Sequence, residues 1–497
     1  MRLDDDLKYF ETQEFKDILA KYEAARQAGS SVYMDADELT DVAEYYAMVQ
    51  NDEELAGEAI DLALQLHPEA VDPLIFQARQ YMLKGDEDAA RQACDAIPDQ
   101  QHREVYFLRA ELMVREGKST QAREYLLNRS EDVTEDLDYF IYDSAYIFID
   151  YHDDESARLF AEKLEQIAPK WFKTWELMAD VCLSFEKNAD ALKYIEMMLD
   201  KDPFYLTAWN WRAEAYCGLL DYTKAFESTE YALAVEPQNE RAMELKAWIL
   251  MRQENPEEAH KIYEQLRRMN PESEMHCLYD SYCLFDLQRI DDSLQLIKEA
   301  ERLAGGMSQE QAAIYEHHAH ILSEKSLVED ALHYIDLAED AIEDAAVIHN
   351  QQPDTYQDFD YYRARILAEN GDSETALQYI ERIAQKEREP IASIIMRGAQ
   401  ILFEAGDYGT SLELFQMLLR QDLEEEKKAR LYPYIAACLH EQGNKALCLD
   451  YIRLAIDNNS PDMKEILGYL FAEGVQPAEY YDYYYYQLNN RWPKSDV

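Results

Sequence analysis

PKWFKTWELMADVCLSFEKNADALKYIEMMLDKDP, residues 169–203, decides how the rest of the chain is read. The stretch runs from one proline to the next, and its interval of 34 residues recurs through Pro169, Pro203, Pro237 and Pro271. Twelve residues ahead of these prolines stand Ala157, Ala191, Ala225 and Ala259, and twelve further back Ala145, Ala179, Ala213 and Ala247. Trp175 and Trp209 share one phase of the period, and Phe148, Cys182, Tyr216 and Leu250 share another. Self-similarity at a fixed period of this length marks a stacked array, in which each unit buries its apolar face against its neighbours. Two small residues twelve apart suit two helices that cross at close range. A Leu or Phe in either place would overpack the crossing, at a cost of about 1–3 kcal/mol.

The pair extends in both directions. Toward the N-terminus it continues as Ala110/Ala122, Ala78/Ala90 and Ala47/Ala59, and toward the C-terminus as Ser281/Ser293, Ala319/Ala331, Ala364/Ala376, Ala399/Ser411 and Ala436/Cys448. Helix breakers often lie between the members, as in Gly85-Asp86, Gly117-Lys118, Gly371-Asp372, Gly406-Asp407 and Gly443-Asn444. The 34-residue period, the early aromatic, the two small residues and the closing proline resemble the tetratricopeptide repeat (TPR), a helix–turn–helix unit. The resemblance implies an all-α fold, an α-α superhelix of about twelve repeats.

Four segments are expected. Residues 1–39 form an N-terminal cap, with Phe10, Phe15, Ile18, Leu19 and Tyr22 as its apolar set; residues 40–304 form a first block of repeats. Residues 305–461 form a second block with longer repeats, and 462–497 a tyrosine-rich C-terminal cap. The candidate hinge between the blocks is Gly305-Gly306, with a rigid continuous solenoid as the equal alternative, and Ala341–Gln357 is expected to lengthen a second helix before a break at Gln351-Gln352-Pro353-Asp354. Beyond Pro461 two helices are expected, over Met463–Ala472 and Pro477–Asn490. The second holds Tyr480-Tyr481-Asp482-Tyr483-Tyr484-Tyr485-Tyr486, too many rings for one helical face, so some should be buried and others partly wet.

Composition agrees with a helical chain. Of 497 residues only 14 are Gly and 14 Pro, while 47% are hydrophobic, enough to bury despite a formal net charge of −53. That charge opposes binding to nucleic acid or an anionic membrane, since phosphate contacts require clustered Lys and Arg. The N-terminus shows no apolar signal segment, and no long apolar run occurs. The seven cysteines (Cys94, Cys182, Cys217, Cys277, Cys283, Cys438 and Cys448) follow no metal or disulfide spacing, which suits reduced thiols in a cytoplasmic protein.

Catalytic templates are missing. There is no G-x-G-x-x-G or G-x-S-x-G; Gly117-Lys118-Ser119 lacks the upstream glycine of a phosphate loop, and His440-Glu441 lacks the second histidine of a zinc-protease helix. Glu316-His317-His318-Ala319-His320, with His333 beyond it, is the nearest approach to a metal cluster, because His317 and His320 are three apart and can share a face. His318 falls at a core-facing phase, and ordinary packing is the stronger reading of these histidines. No cofactor and no metal are expected, and the chain reads as a non-enzymatic scaffold.

The resemblance implies that the first helix of each repeat lines a concave groove where peptides lie. In that register the groove positions are Tyr139, Tyr142 and Tyr146, then Lys173, Glu176 and Asp180, then Thr207, Asn210 and Glu214, then Arg241, Glu244 and Trp248. Met275, Leu278 and Tyr282 follow, with Phe285 one turn on. The Lys/Asn/Arg clamp by which some TPR proteins hold a chaperone's C-terminal carboxylate has no counterpart here. An acidic centre with aromatic walls suits a basic or amphipathic peptide or protein segment, through charge and through aromatic rings stacked on Arg. Two alternatives accompany this reading: an array that self-assembles through the tyrosine-rich cap, giving a homo-oligomer, and a regulatory protein that binds metal through residues 316–333.

Overall fold

Among the described residues, twelve helix pairs follow one another, from Ala36–Met48 with Glu53–Leu66 to Glu425–Glu441 with Lys445–Asp457. The computed structural model describes residues 9–28, 33–133, 135–304, 309–348, 358–386, 388–421, 423–472 and 474–493, and among these no strand occurs. The described residues form two compact units, Met1–Ile249 and Leu250–Val497. Gly305-Gly306 and the Gln351–Asp354 break lie outside the described residues. The lengthened second helix is present, as Val328–Ile348.

The crossing positions behave as their size requires. From Ala78/Ala90 to Ala436/Cys448, both members of all eleven pairs have 0% exposure. Where serine replaces alanine, the hydroxyl is satisfied across the crossing. The Ser281 and Ser293 hydroxyls lie 2.8 Å apart, and each donates to the other residue's carbonyl; the Ser411 hydroxyl donates to the Ala399 carbonyl at 2.8 Å. Seven residues after the first member of every such pair, the backbone turns through a positive φ. Gly85, Gly117, Gly371, Gly406 and Gly443 serve there, but so do His152, Glu186, Leu220, Glu254, Gln288 and Ser326. The next residue is often Asp or Asn, whose side chain caps the following helix: Asp86 accepts from the Ala89 amide at 3.0 Å and Asp221 from the Lys224 amide at 3.2 Å.

This turn corrects the first pair. Its positive-φ residue is Asn51, followed by the cap Asp52, so the equivalent positions are Glu44 and Ala56 rather than Ala47 and Ala59. Ala56 is buried, whereas Ala47 is only partly so. An alanine-rich pair of helices permits the twelve-residue spacing three positions out of phase.

The Trp–Pro part of the repeat also has a local cause. The Trp175 indole N–H donates to the Pro169 carbonyl at 2.9 Å, and the Trp209 indole N–H to the Pro203 carbonyl at 2.8 Å. Each tryptophan thereby fastens the loop that enters its own helix. The seven cysteines are free, and all but Cys217 are buried.

In the second unit a buried ion cluster ties the Asp360–Glu369 helix to its neighbours. Asp360, without exposure, accepts from Arg363 Nη1 at 3.0 Å, Arg382 Nε at 2.7 Å and Lys386 Nζ at 2.9 Å. Arg363 also reaches Asp336 at 2.6 Å, and Lys386 reaches Asp358 at 2.7 Å.

At the C-terminus the first expected helix is cut short. Helix Met463–Leu467 passes into a 3-10 turn, Gly468–Leu470, and Phe471 becomes extended, placing its ring 4.0 Å from that of Tyr480 in a parallel stack. The last helix is Tyr480–Asn489, entered by the 3-10 turn Pro477–Glu479. Tyr480 and Tyr484, one turn apart, are 1% exposed, while Tyr486 is 39% exposed and stacks on Trp492 at 4.7 Å.

Candidate functional site

Within the first unit, the first helices of successive hairpins bring the expected positions into one row. Tyr139, Tyr142 and Tyr146 lie on Leu137–Asp150, Glu176 and Asp180 on Phe172–Ser184, and Asn210 and Glu214 on Leu206–Gly218. Glu244 and Trp248 continue the row on Glu240–Arg252. Helical residues four apart share a face, which places both members of each pair on the same side.

The row is less open than its residue types suggest. Tyr142 is 6% exposed; its hydroxyl donates to Glu176 at 2.9 Å, and its ring lies 4.9 Å from Tyr146 and 5.8 Å from Trp171. Lys173 Nζ stands 5.0 Å from the Tyr142 ring centroid. The second oxygen of Glu176 accepts from the Tyr205 hydroxyl. Tyr142 is thus a packed, hydrogen-bonded residue, and Glu176 is a carboxylate already held by two phenols. Glu214 is held by Arg241, at 2.7 Å, and Arg241 comes within 3.6 Å of Glu244. Asn210 is buried and donates to the Asn239 side chain at 3.2 Å, whose oxygen also caps Ala242 at 2.9 Å. Tyr139 rests edge-on against Trp171 at 4.7 Å, and Trp248 lies 6.0 Å from Tyr222.

Asp180 differs from its acidic neighbours. Among the described residues no Lys, Arg or His lies within ion-pair distance of it. Burial, with Glu176, Glu214 and Asp150 adding like charge, pushes its carboxyl up to about 6, despite a hydrogen bond from Tyr146 that favours the anion. Burial first, then the neighbouring Tyr142 and Asp180, raises the Tyr146 hydroxyl well above the usual phenol range. Asp180 is therefore the carboxylate on this row whose charge the surrounding protein compensates least.

In the second unit Tyr282 and Phe285 pack on a histidine. Their rings lie 4.0 Å and 5.7 Å from that of His317, which is buried with Nε2 3.0 Å from the Ser281 hydroxyl. Burial holds the His317 imidazole down at about 3. His318 turns to Glu301 and lies tilted against Tyr334 at 3.9 Å, whereas the His320 and Tyr362 rings meet edge to face at 6.4 Å. His317, His318 and His320 thus turn to different partners, and among the described residues the histidines of 316–333 form no three-ligand group. Successive helical residues are about 100° apart, so neighbours in sequence leave in different directions.

Trp171, Tyr205 and Asp150 complete the first unit's face without having been foreseen, whereas Arg241 was among the expected groove positions. Trp171 and Tyr205 are themselves 34 residues apart, so the period that located the helices would also have located them.

These hairpins define a class before any function is considered: repeats of a helix–turn–helix unit that stack on one another. Residues 221–279 match the family model for the tetratricopeptide repeat, and the same helix–turn–helix hairpin recurs on both sides of them. Among solved structures, a tetratricopeptide repeat protein from Parabacteroides merdae is similar at 18% identity, covering 49% of this chain and 93% of that one, with a TM-score of 0.41. The Cut9–Hcn1 hetero-tetramer of the APC/C is similar at 11% identity over 92% of this chain and 94% of that one, with a TM-score of 0.36. YrrB, described as a TPR protein with an unusual peptide-binding site, is similar at 19% identity over 36% and 91%, with a TM-score of 0.30. No curated protein matches the sequence. Among the described residues no helix is long and apolar enough to cross a membrane.

Proposed function

We propose that this chain is a non-enzymatic interaction scaffold whose first unit takes a cationic segment of a partner protein, with Asp180 as the receiving carboxylate. The carrying observation is the uncompensated charge of Asp180: a half-buried acid among other acids gains most when a guanidinium or ammonium arrives. Tyr139, Tyr146 and Trp248, each partly exposed, offer ring faces on the same row for the partner's aliphatic stems or cations. Glu176, Glu214 and Glu244 position this face rather than receive the partner, since phenols or Arg241 already hold them.

The test is a panel of synthetic peptides that vary in Arg and Lys content, read by fluorescence anisotropy. Binding should follow cationic content and weaken with salt, because charge complementarity is screened over about 8–10 Å. Asp180→Lys should abolish it with the helical CD signal intact. Protonation of Asp180 should also weaken binding as pH falls below about 6. Peptide binding indifferent to charge, or unchanged by Asp180→Lys, would overturn the assignment.

A second reading, self-association through the C-terminal cap, draws on Trp492, 53% exposed, and on Tyr486 stacked against it. Sedimentation of Tyr486→Ser/Trp492→Ser beside wild type checks it. This variant leaves the buried Tyr480 and Tyr484 in place, and a wild-type mass independent of concentration would remove the reading.

A further inference from the structure

The Phe172–Ser184 helix has a second functional side. Opposite Glu176 and Asp180 it turns Met178, Val181, Cys182 and Phe185 toward a cavity of about 210 Å³, which is closed by residues of Asp154–Ile167 and Asn188–Lys201. At about 30 Å³ of liquid volume per water, the space matches roughly seven waters, or one hydrocarbon group the size of a leucine or phenylalanine side chain.

The floor is apolar and the rim is charged in an order unusual for so acidic a chain. Arg158, Lys187 and Lys193 face two carboxylates, Glu162 and Asp190. Arg158 closes on Glu162 at 3.1 Å and Lys193 on Asp190 at 2.7 Å. Lys187 is left over: its Nζ lies 5.2 Å from the Phe185 ring centroid, and among the described residues no carboxylate is within ion-pair distance. Lys187 is also the residue that enters the Asn188–Lys201 helix, so the helix's unsatisfied N–H groups add positive potential at the same end of the cavity. In a chain of net charge −53, Lys187 feels Asp190 across the rim but makes no direct ion pair, so a cation at the mouth of an apolar cavity keeps its hydrogen-bond donors for an external anion.

We propose that this cavity binds a small apolar carboxylate, its hydrocarbon against Met178, Val181 and Phe185 and its carboxylate on Lys187. The apolar floor supplies affinity through removal of hydrocarbon from water, and Lys187 selects the charged head. A free organic acid and the terminal residue of a peptide share this chemistry. The site is independent of the Asp180 face, because it calls for the opposite charge on the opposite side of the helix.

The experiment is saturation-transfer NMR on the full chain with hexanoate, 3-phenylpropionate and the peptide Gly-Gly-Gly-Phe, each beside its uncharged amide. The acids should receive saturation and their amides little. Lys187→Glu should lower affinity by about tenfold or more, as loss of a charge-assisted hydrogen bond of about 1.5–3 kcal/mol requires. Lys187→Arg should retain binding. Lys187 is exposed at a helix entry, so both variants keep the fold. Saturation of the free acids alone identifies the ligand as a small molecule, and saturation of the peptide alone as a chain terminus; either supports the proposal. No transfer to any carboxylate, or equal transfer in wild type and Lys187→Glu, overturns it.

Discussion

Asp360→Asn removes the carboxylate that three cations of the second unit share. In the folded protein burial works to raise the Asp360 carboxyl, but the hydrogen bonds and charges of Arg382 and Lys386 prevail and hold it at about 2, against an ordinary 3.8. At 1.36 kcal/mol per pKa unit, that difference is worth about 2 kcal/mol. Breaking a buried ion pair from one side costs about 3–5 kcal/mol. Here the cost belongs at the lower end, because Arg363 keeps Asp336, Lys386 keeps Asp358, and Arg382, with 53% of its side chain exposed, can turn to water. The expected loss is therefore about 3 kcal/mol. A repeat array does not unfold as one two-state body, so the readout must be local. Amide hydrogen exchange across 358–386 should accelerate by about 150-fold at neutral pH, while peptides of the first unit stay unchanged. The sign with pH follows from a depressed carboxylate: its stabilisation is present above about 4 and is lost as pH falls through about 2, so the two proteins converge only in strong acid. Acceleration below about fivefold at neutral pH, equivalent to less than about 1 kcal/mol, would refute the ion cluster as the fastening of this helix.

Other outcomes follow from the same geometry. Leu220, 72% exposed at φ 59°, should give a protein about 1 kcal/mol more stable as Leu220→Gly, seen as a higher melting midpoint of the first unit. Gly117→Ala, at φ 74°, should shift that midpoint down. Trp209→Phe removes the indole donor to Pro203 and should cost about 1 kcal/mol in urea denaturation. Burial keeps His317 neutral down to about 3, while the unfolded chain takes up its proton near 6.5. Stability from this group is therefore complete above 6.5 and falls by up to about 1.4 kcal/mol per pH unit below it. His317→Gln should remove that slope from a pH series of denaturation midpoints.

Much of the fold was readable because crossing positions tolerate only small side chains, and a 34-residue period repeats the constraint until chance is excluded. The first pair slipped because Ala43, Ala47, Ala56, Ala59 and Ala63 crowd the same two helices, and size alone cannot choose among them. The turn could have chosen: Asn51-Asp52 carries the left-handed residue and the helix cap together. The binding face was legible as a row of positions but not as a set of partners. That Glu176 is held by Tyr142 and Tyr205 depends on how three hairpins stack, which no single period contains. The Lys187 cavity was invisible for a related reason, since its floor and rim are ordinary residues made a site only by the space left between three helices.

The two kinds of fastening in this chain have different histories open to them. The Trp–Pro bond begins and ends within six residues, as Trp175 to Pro169 and Trp209 to Pro203, so a duplicated stretch of gene arrives with its own fastening intact. The bond from Tyr142 to Glu176 spans 34 residues and has meaning only while those two neighbours stay adjacent. Lengthening the array by copying therefore preserves each new hairpin at once but erases the particular order of side chains along its face. Number and specificity are inherited separately in such a protein, the first by copying and the second only by later substitution at the joins.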